Sequence, residues 1–329
     1  MKITKEYDGT LITNDVALKV IAINSDVKTE GYSLEEDYTG VYYLDVNTIS
    51  LSVYNSILAS LHENGVYEPE DYTFSINEYL IVPPPYEDAS LGTYSIFKYN
   101  GTKFIPVYIK EIESNWTKKG RPIKPRNIEQ ACLIDAILDK EVSIIYAGGN
   151  YGTGKSFITH HYAINQLEKG AIKKIIYVPN NSYTQNTMDL GALPGTLIDK
   201  VQPTLGPLID ITGLDNVLHW IEQDELEVVP VGYIRGRNFE ESIVIVSEAE
   251  NLTEEHIKLL VARCGDGTRI FFDGDIHQAD SAIFKDRNGL KLLLKLHESK
   301  EFSSIFSTVQ LQKIERSFTA AAADYLDRQ

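Results

Sequence analysis

Cysteine is nearly absent. Cys132 and Cys264 are the only two in 329 residues, they lie far apart, and neither sits in a metal-ligand spacing. That scarcity argues against a disulfide framework and for a reducing compartment. Long apolar runs are missing too, since none approaches the roughly 20 residues that a membrane helix needs. The N-terminal stretch MKITKEYDGT has no apolar core of the kind a signal peptide carries. A cytoplasmic protein with no membrane partner is therefore expected. Positive charge is the third shortage: 31 Lys and Arg stand against 47 Asp and Glu, a net charge of −16. Nucleic-acid-binding surfaces are normally basic, because affinity comes largely from phosphate contacts and counterion release. Only a local patch could hold nucleic acid here. The best candidate is NWTKKGRPIKPR, residues 115–126, with Lys118, Lys119, Arg121, Lys124 and Arg126. The same residues read equally well as a solvated linker between domains.

An apolar fraction of 43% with 24% charged residues is that of a soluble globular protein, and the length allows one large or two ordinary domains. Up to about residue 114 the chain is rich in Tyr, Thr, Val, Asn and Ile, in short pieces broken by turn residues. TGVYYLDV, EYLIVPPP and SIFKYNGTKFIPVYI read as strands, and NTISLSVYNSILASLHENG has helical spacing. Gly120, Pro122 and Pro125 then mark a boundary. Beyond it, strands alternate with helices. VSIIYAGG, IKKIIYVP, SIVIVS, TRIFFDG and a weaker FSSIFSTVQL are continuous apolar strands, separated by FITHHYAINQLEKG, TEEHIKLLVARC and GLKLLLKLHES. That pattern predicts an α/β fold with a parallel sheet covered by helices, preceded by a smaller mixed α/β or β-rich domain. Thr253 is placed to cap its helix, with Glu254 and Glu255 in the first turn.

GNYGTGKS, Gly149–Ser156, fits the phosphate-loop pattern G-x-x-x-x-G-K-[ST], with a strand before it and a helix after it. The spacing has a chemical reason. Glycines let the backbone N–H groups of Gly149, Asn150, Tyr151, Gly152, Thr153 and Gly154 turn towards phosphate oxygens, and the helix N-terminus favours an anion. Lys155 would reach the β- and γ-phosphates, and Ser156 would ligate Mg²⁺. VIVSEAEN, Val244–Asn251, ends the next candidate strand. In a P-loop ATPase that strand ends in an aspartate that holds magnesium, followed by a glutamate that aligns the attacking water. Here Ser247 takes the first place and Glu248 the second. FFDGDIHQ puts Asp275 and Gln278 at another strand end, the edge where ligands bind in open α/β sheets. Arg235 and Arg237 of YIRGR are candidates for stabilising developing phosphoryl charge, from the same chain or a neighbouring one. His160 and His161 point about 100° apart on a helix and read as surface or packing residues, not metal ligands.

Together these pieces resemble the PhoH family of P-loop ATPases, whose nucleotide-binding core is helicase-like. The match runs from PRNIEQ (Pro125–Gln130) through GNYGTGKS, LGALPG, LEVVPVGYIRGR and EAEN to GDIHQAD, then RNGL and ERS (Glu315–Ser317). The resemblance implies a RecA-like P-loop NTPase domain over residues 119–329. It implies that Gln130 reads the adenine edge, that Gln278 watches the γ-phosphate, and that Arg316 belongs to the nucleotide-binding set. It also implies a homo-oligomeric, ring-like assembly, hexameric by analogy, acting on single-stranded RNA or DNA. LITNDVALKVIAINSDVKTEGY resembles the closing segment of a PIN nuclease domain, so residues 1–34 read as a remnant and residues 35–118 as a connecting domain. Of the nuclease carboxylates only Asp15 has a counterpart, and one carboxylate cannot hold a catalytic metal pair; no nuclease activity is expected.

The family's DEAQ reads SEAE here. Ser247 can hydrogen-bond a magnesium-bound water but brings no charge, and Glu250 adds charge near the γ-phosphate where a neutral glutamine is usual. A slow ATPase is the resulting expectation. A non-hydrolysing nucleotide-binding oligomer or scaffold is the alternative, and a small-molecule kinase is disfavoured by the lack of a lid or acceptor motif.

Overall fold

The computed structural model describes residues 11–12, 29–30, 38–69, 72–86, 90–116, 120–179, 204–279 and 288–315. Two compact units form, Met1–Tyr38 and Thr39–Gln329. In the first, β1 (Leu11–Ile12) pairs in parallel with β2 (Thr29–Glu30). Asp15 lies outside the described residues.

The second unit contains two sheets. The smaller has the order β3 (Val41–Tyr43), β4 (Tyr79–Val82), β5 (Ser95–Tyr99), β6 (Phe104–Val107), with α1 (Leu51–Glu63) between its first two strands. Ser50 caps α1 by accepting from the Val53 N–H. Apolar residues on both faces of β4 are buried, which fits a strand packed on two sides. Tyr79, Ile81 and Ile96 belong to the same core as the larger sheet. Polar ties reinforce the joint. The Asn77 amide donates to the carbonyl oxygens of Ser303, Ser304 and Phe306 at 3.2, 2.8 and 3.0 Å. Tyr79 donates its hydroxyl proton to Asp135 at 2.9 Å.

The larger sheet grows from α2 (Ile128–Leu138), β7 (Ile144–Gly149), α3 (Lys155–Glu168) and β8 (Lys174–Val178), then α4 (Gly206–Thr212), α5 (Leu214–Glu222) and β9 (Leu226–Val228). β10 (Ser242–Ser247), α6 (Glu254–Val261), β11 (Arg269–Gly274), α7 (Gly289–Leu294) and β12 (Phe306–Leu311) complete it. Its six strands are all parallel, in the order β12-β7-β11-β10-β8-β9. This is a RecA-like P-loop sheet flanked by helices, as the strand and helix alternation predicts. All six residues of β7 are buried. The strand carrying the phosphate loop lies inside the sheet, where the order reverses and the carboxyl ends of the strands open a crevice. Thr253 caps α6 as expected, and His256 completes a reciprocal capping box. The three-residue strand β9 was not expected from the sequence; it ends the sheet beyond β8.

Candidate nucleotide site

The phosphate loop runs directly from β7 into α3, and its path requires glycine at two points. Gly149 has φ +123°, and a Cβ there would stand 2.0 Å from the Leu311 carbonyl oxygen. Gly154, at φ +97°, is the residue before α3. Side chains rarely adopt such angles. The rest of the loop is held from within. The Thr153 hydroxyl donates to the Asn150 carbonyl at 2.9 Å, and the Asn150 side-chain oxygen accepts from the Tyr151 N–H at 2.6 Å. Gln130, buried near the start of α2, accepts from the Arg126 N–H at 2.9 Å and donates to the Thr153 carbonyl at 2.8 Å. It therefore braces the loop while lining the cleft.

The cleft beside the loop measures about 590 Å³. Gly149, Tyr151, Gly152, Gly154, Lys155 and Ser156 line it from the loop side. Ser247, Glu248, Asp275 and Gln278 line it from the neighbouring strand ends, so these separate motifs converge on one place. The Lys155 ammonium donates to the Gly149 and Asn150 carbonyls at 2.6 and 2.9 Å. Gln278 donates to Asn150 at 2.6 Å, joining the β11 end to the loop. Asp275 shapes that turn: its carboxylate accepts from the His277 N–H at 3.0 Å and its carbonyl from the Gln278 N–H at 2.9 Å. Glu248 is exposed at the mouth in a left-handed conformation, φ 54° and ψ 48°. A non-glycine residue there costs on the order of 1–2 kcal/mol, a strain that often marks functional positions.

Two further residues of the cleft received no role from the motifs that contain them. Asp273, the penultimate residue of β11, is 5% exposed. It accepts the Ser156 hydroxyl proton and stands 3.9 Å from the Lys155 ammonium. Glu315 closes another side: its N–H donates to the Gly152 carbonyl at 2.9 Å and its carboxylate accepts from Asn127 at 2.9 Å. In the sequence Asp273 stands near the end of TRIFFDG, two residues before Asp275, with nothing there to assign it a role. Strand register, not local pattern, gives it meaning.

The structure bears on several further expectations. The Glu250 carboxyl is buried, and its oxygen accepts from the Asp275 N–H at 3.2 Å. Burial pushes its pKa up to about 7, helped by the nearby charges of Glu248 and Asp273. Burial thus favours the neutral acid over the charge expected to repel a γ-phosphate. Arg235 is exposed, whereas Arg237 donates to both carboxylate oxygens of Glu227 at 2.8 Å and lies over the Phe239 ring. Neither arginine lines the cleft. Of the two readings for His160 and His161, surface or packing, the structure gives packing: both are buried in α3, and burial lowers both pKa values. Trp116 donates to Glu168 at 2.8 Å and meets Trp220 edge to face. In the basic stretch, Lys124 pairs with Glu111 at 2.7 Å and Arg126 donates to the Glu315 carbonyl at 3.0 Å. Arg316, LGALPG, Lys118 and Lys119 lie outside the described residues. Among the described residues no group of three or more His, Cys, Asp or Glu is arranged to hold a metal ion by itself. No helix among them is long and apolar enough to cross a membrane.

The family described as PhoH-like protein matches residues 122–324. A PhoH-like protein of Bacillus subtilis is 33% identical over 54% of this chain and 55% of its own length. Protein PhoH2 of Mycolicibacterium smegmatis is 32% identical over 60% of this chain and 46% of its own. The chain thus spans about half the length of the curated relatives it matches. The crystal structure of Pif1 helicase from Candida albicans aligns with 61% of this chain and 43% of its own at 17% identity, with a TM-score of 0.33.

Proposed function

The chain belongs to the PhoH family, and on that premise we propose that it is a slow Mg²⁺-dependent ATPase that couples ATP turnover to single-stranded RNA or DNA. The observation that carries this reading is the convergence of Lys155, Ser156, Glu248 and Gln278 on one cleft at the carboxyl edge of the sheet. In it, the loop N–H groups and Lys155 bind and orient the phosphates. Glu248, at the mouth, takes up or aligns the proton of the attacking water. Gln278 ties the far side of the γ-phosphate position to the loop through Asn150, so its contact would report on the terminal phosphate. Gln130, which braces the loop and lines the cleft, would read the adenine edge.

The donor set suits a hard divalent cation: the Ser156 hydroxyl already meets a carboxylate oxygen beside the phosphate lysine. When bound, Mg²⁺ would supply charge neutralisation between phosphate oxygens. Ser156 would hold it, with Ser247 facing its hydration. Because the described residues form no metal cluster of their own, the ion is expected to arrive with the nucleotide.

A homo-oligomeric ring, hexameric by family analogy, would let Arg235 of one subunit reach the cleft of the next. A non-hydrolysing nucleotide-binding scaffold is the second reading, favoured by Ser247, which lacks the charge a magnesium aspartate brings. Steady-state ATP hydrolysis with and without single-stranded RNA and DNA separates the two. We expect turnover that Lys155→Ala abolishes and that one nucleic acid stimulates; nucleotide binding without turnover would leave the scaffold.

A further inference from the structure

We infer that Asp273 replaces the missing aspartate of the second motif, moved sideways by one strand, and contributes the negatively charged oxygen of the Mg²⁺ site. This rests on the nucleotide-site reading above. Ser247 and Asp273 are register partners on the adjacent parallel strands β10 and β11. Paired residues point to the same face of a sheet, with strands roughly 4.8 Å apart. A carboxylate at 273 therefore projects in the same direction as one at 247 would, displaced by a single strand spacing. The displacement is towards the phosphate loop, because β11 lies between β10 and β7. On the other side of β11, Asp273 pairs with Ala147 of β7, two residues before Gly149.

The contacts match that placement. A carboxylate that is only 5% exposed is costly unless it is paired. The partners Asp273 has are the Ser156 hydroxyl and, at 3.9 Å, the Lys155 ammonium. Those are the two side chains a phosphate loop commits to metal and phosphate. Ser247 also lines the cleft, but its hydroxyl pairs with the Tyr177 phenol on β8 and brings no charge. A serine on β10 and an aspartate on β11 therefore leave the cleft with one buried carboxylate beside Ser156. The charge is conserved in the cleft although it is absent from the motif. Ser247 is then no sign of decayed catalysis, because its charged function has been taken over by the neighbouring strand.

The test compares equilibrium binding of a fluorescent non-hydrolysable ATP analogue in Mg²⁺ and in EDTA, with Mn²⁺ uptake by electron paramagnetic resonance as a second readout. The proteins are wild type, Asp273→Asn and the relocated pair Ser247→Asp/Asp273→Ser. Wild type should bind the analogue more tightly with Mg²⁺ and take up Mn²⁺ only with nucleotide. Asp273→Asn should lose roughly 10- to 100-fold of the metal-dependent affinity. Its affinity in EDTA should be unchanged or higher, which also establishes that it folds. The relocated pair should regain most of the loss. An Asp273→Asn protein with the full Mg²⁺ increment and normal Mn²⁺ uptake overturns the assignment while leaving the nucleotide site intact. Failure of the relocated pair to regain any increment, with its EDTA affinity preserved, counts against a shared metal position. Wild type that binds no analogue in either condition overturns the underlying nucleotide reading and this assignment with it.

Discussion

Glu250 couples the cleft to pH. Its carboxyl has an ordinary value of 4.5 and is pushed up to about 7, first by burial and then by Glu248 and Asp273. The folded chain therefore holds this proton more tightly than the unfolded chain does. Stability is fully present below about 4.5, falls as pH rises towards 7, and then levels off. The total is on the order of 3 kcal/mol if Glu250 acts alone. Glu250→Gln keeps an oxygen to accept the Asp275 N–H but has no proton to lose. We expect this variant to match wild type near pH 5 and to exceed it in thermal stability by several degrees near pH 8, measured on the nucleotide-free protein. Its nucleotide affinity should also lose the pH dependence that wild type shows between pH 6 and 8. Equal pH slopes in the two proteins would remove Glu250 as the titrating group. At this scale the phosphate loop was legible because its residues are contiguous and its backbone dictates their types. The state of Glu250 was not, because burial depends on Gly274 and Asp275 arriving from another strand. Asp273 was hidden for the same reason: its counterpart Ser247 lies far away in sequence and becomes its neighbour only through sheet register.

Among the elements, the joint between α2 and β11 depends on one side chain. Arg269 opens β11 and donates to the carbonyls of Ile137, Asp139 and Val142 at 2.7, 2.9 and 2.9 Å, and to the Tyr162 hydroxyl at 2.9 Å. The first two carbonyls belong to the C-terminal end of α2, where helix carbonyls lack intrahelical partners. Its guanidinium also lies over the rings of Tyr162 and Phe271. Arg269→Met would leave several carbonyls unpaired and cost about 3 kcal/mol. Arg269→Lys keeps the charge but loses the planar fork, and should recover less than half of that. Urea unfolding of the two variants checks this; a lysine variant as stable as wild type would mean that charge alone matters here. The strands and helices that bear the site were legible from their apolar runs, since buried parallel strands show continuous hydrophobicity. β9 was not, because three residues give no periodicity. For His160 and His161 the sequence left surface and packing open, and packing holds because α3 is covered on more than one side, which a single amphipathic stripe does not describe.

For the molecule as a whole, the alternation of apolar strands and helices pointed to the α/β fold, but assembly depends on surfaces that sequence pattern does not resolve. YIRGR offered two equivalent arginines; the structure separates them. Arg237 is committed to Glu227 and the Phe239 ring within its own chain. Arg235 is exposed on the same loop and away from its own cleft. If the proposed ring forms, each interface is head-to-tail, so one subunit's Arg235 would face the next subunit's cleft. Subunit mixing tests this. Lys155→Ala subunits keep the arginine but lack the phosphate lysine, and Arg235→Ala subunits are the reverse. Each alone should be inactive or nearly so. In an equal mixture after subunit exchange, half of the sites carry Lys155 and half of their neighbours carry Arg235, so about a quarter of the wild-type rate should return. An arginine acting within its own subunit would return none. Arg237→Ala should leave turnover close to wild type and lower stability instead, since its partners lie within its own fold. Recovery in the mixture would therefore establish both the assembly and the direction in which its subunits face, from a loop whose two arginines look alike in sequence.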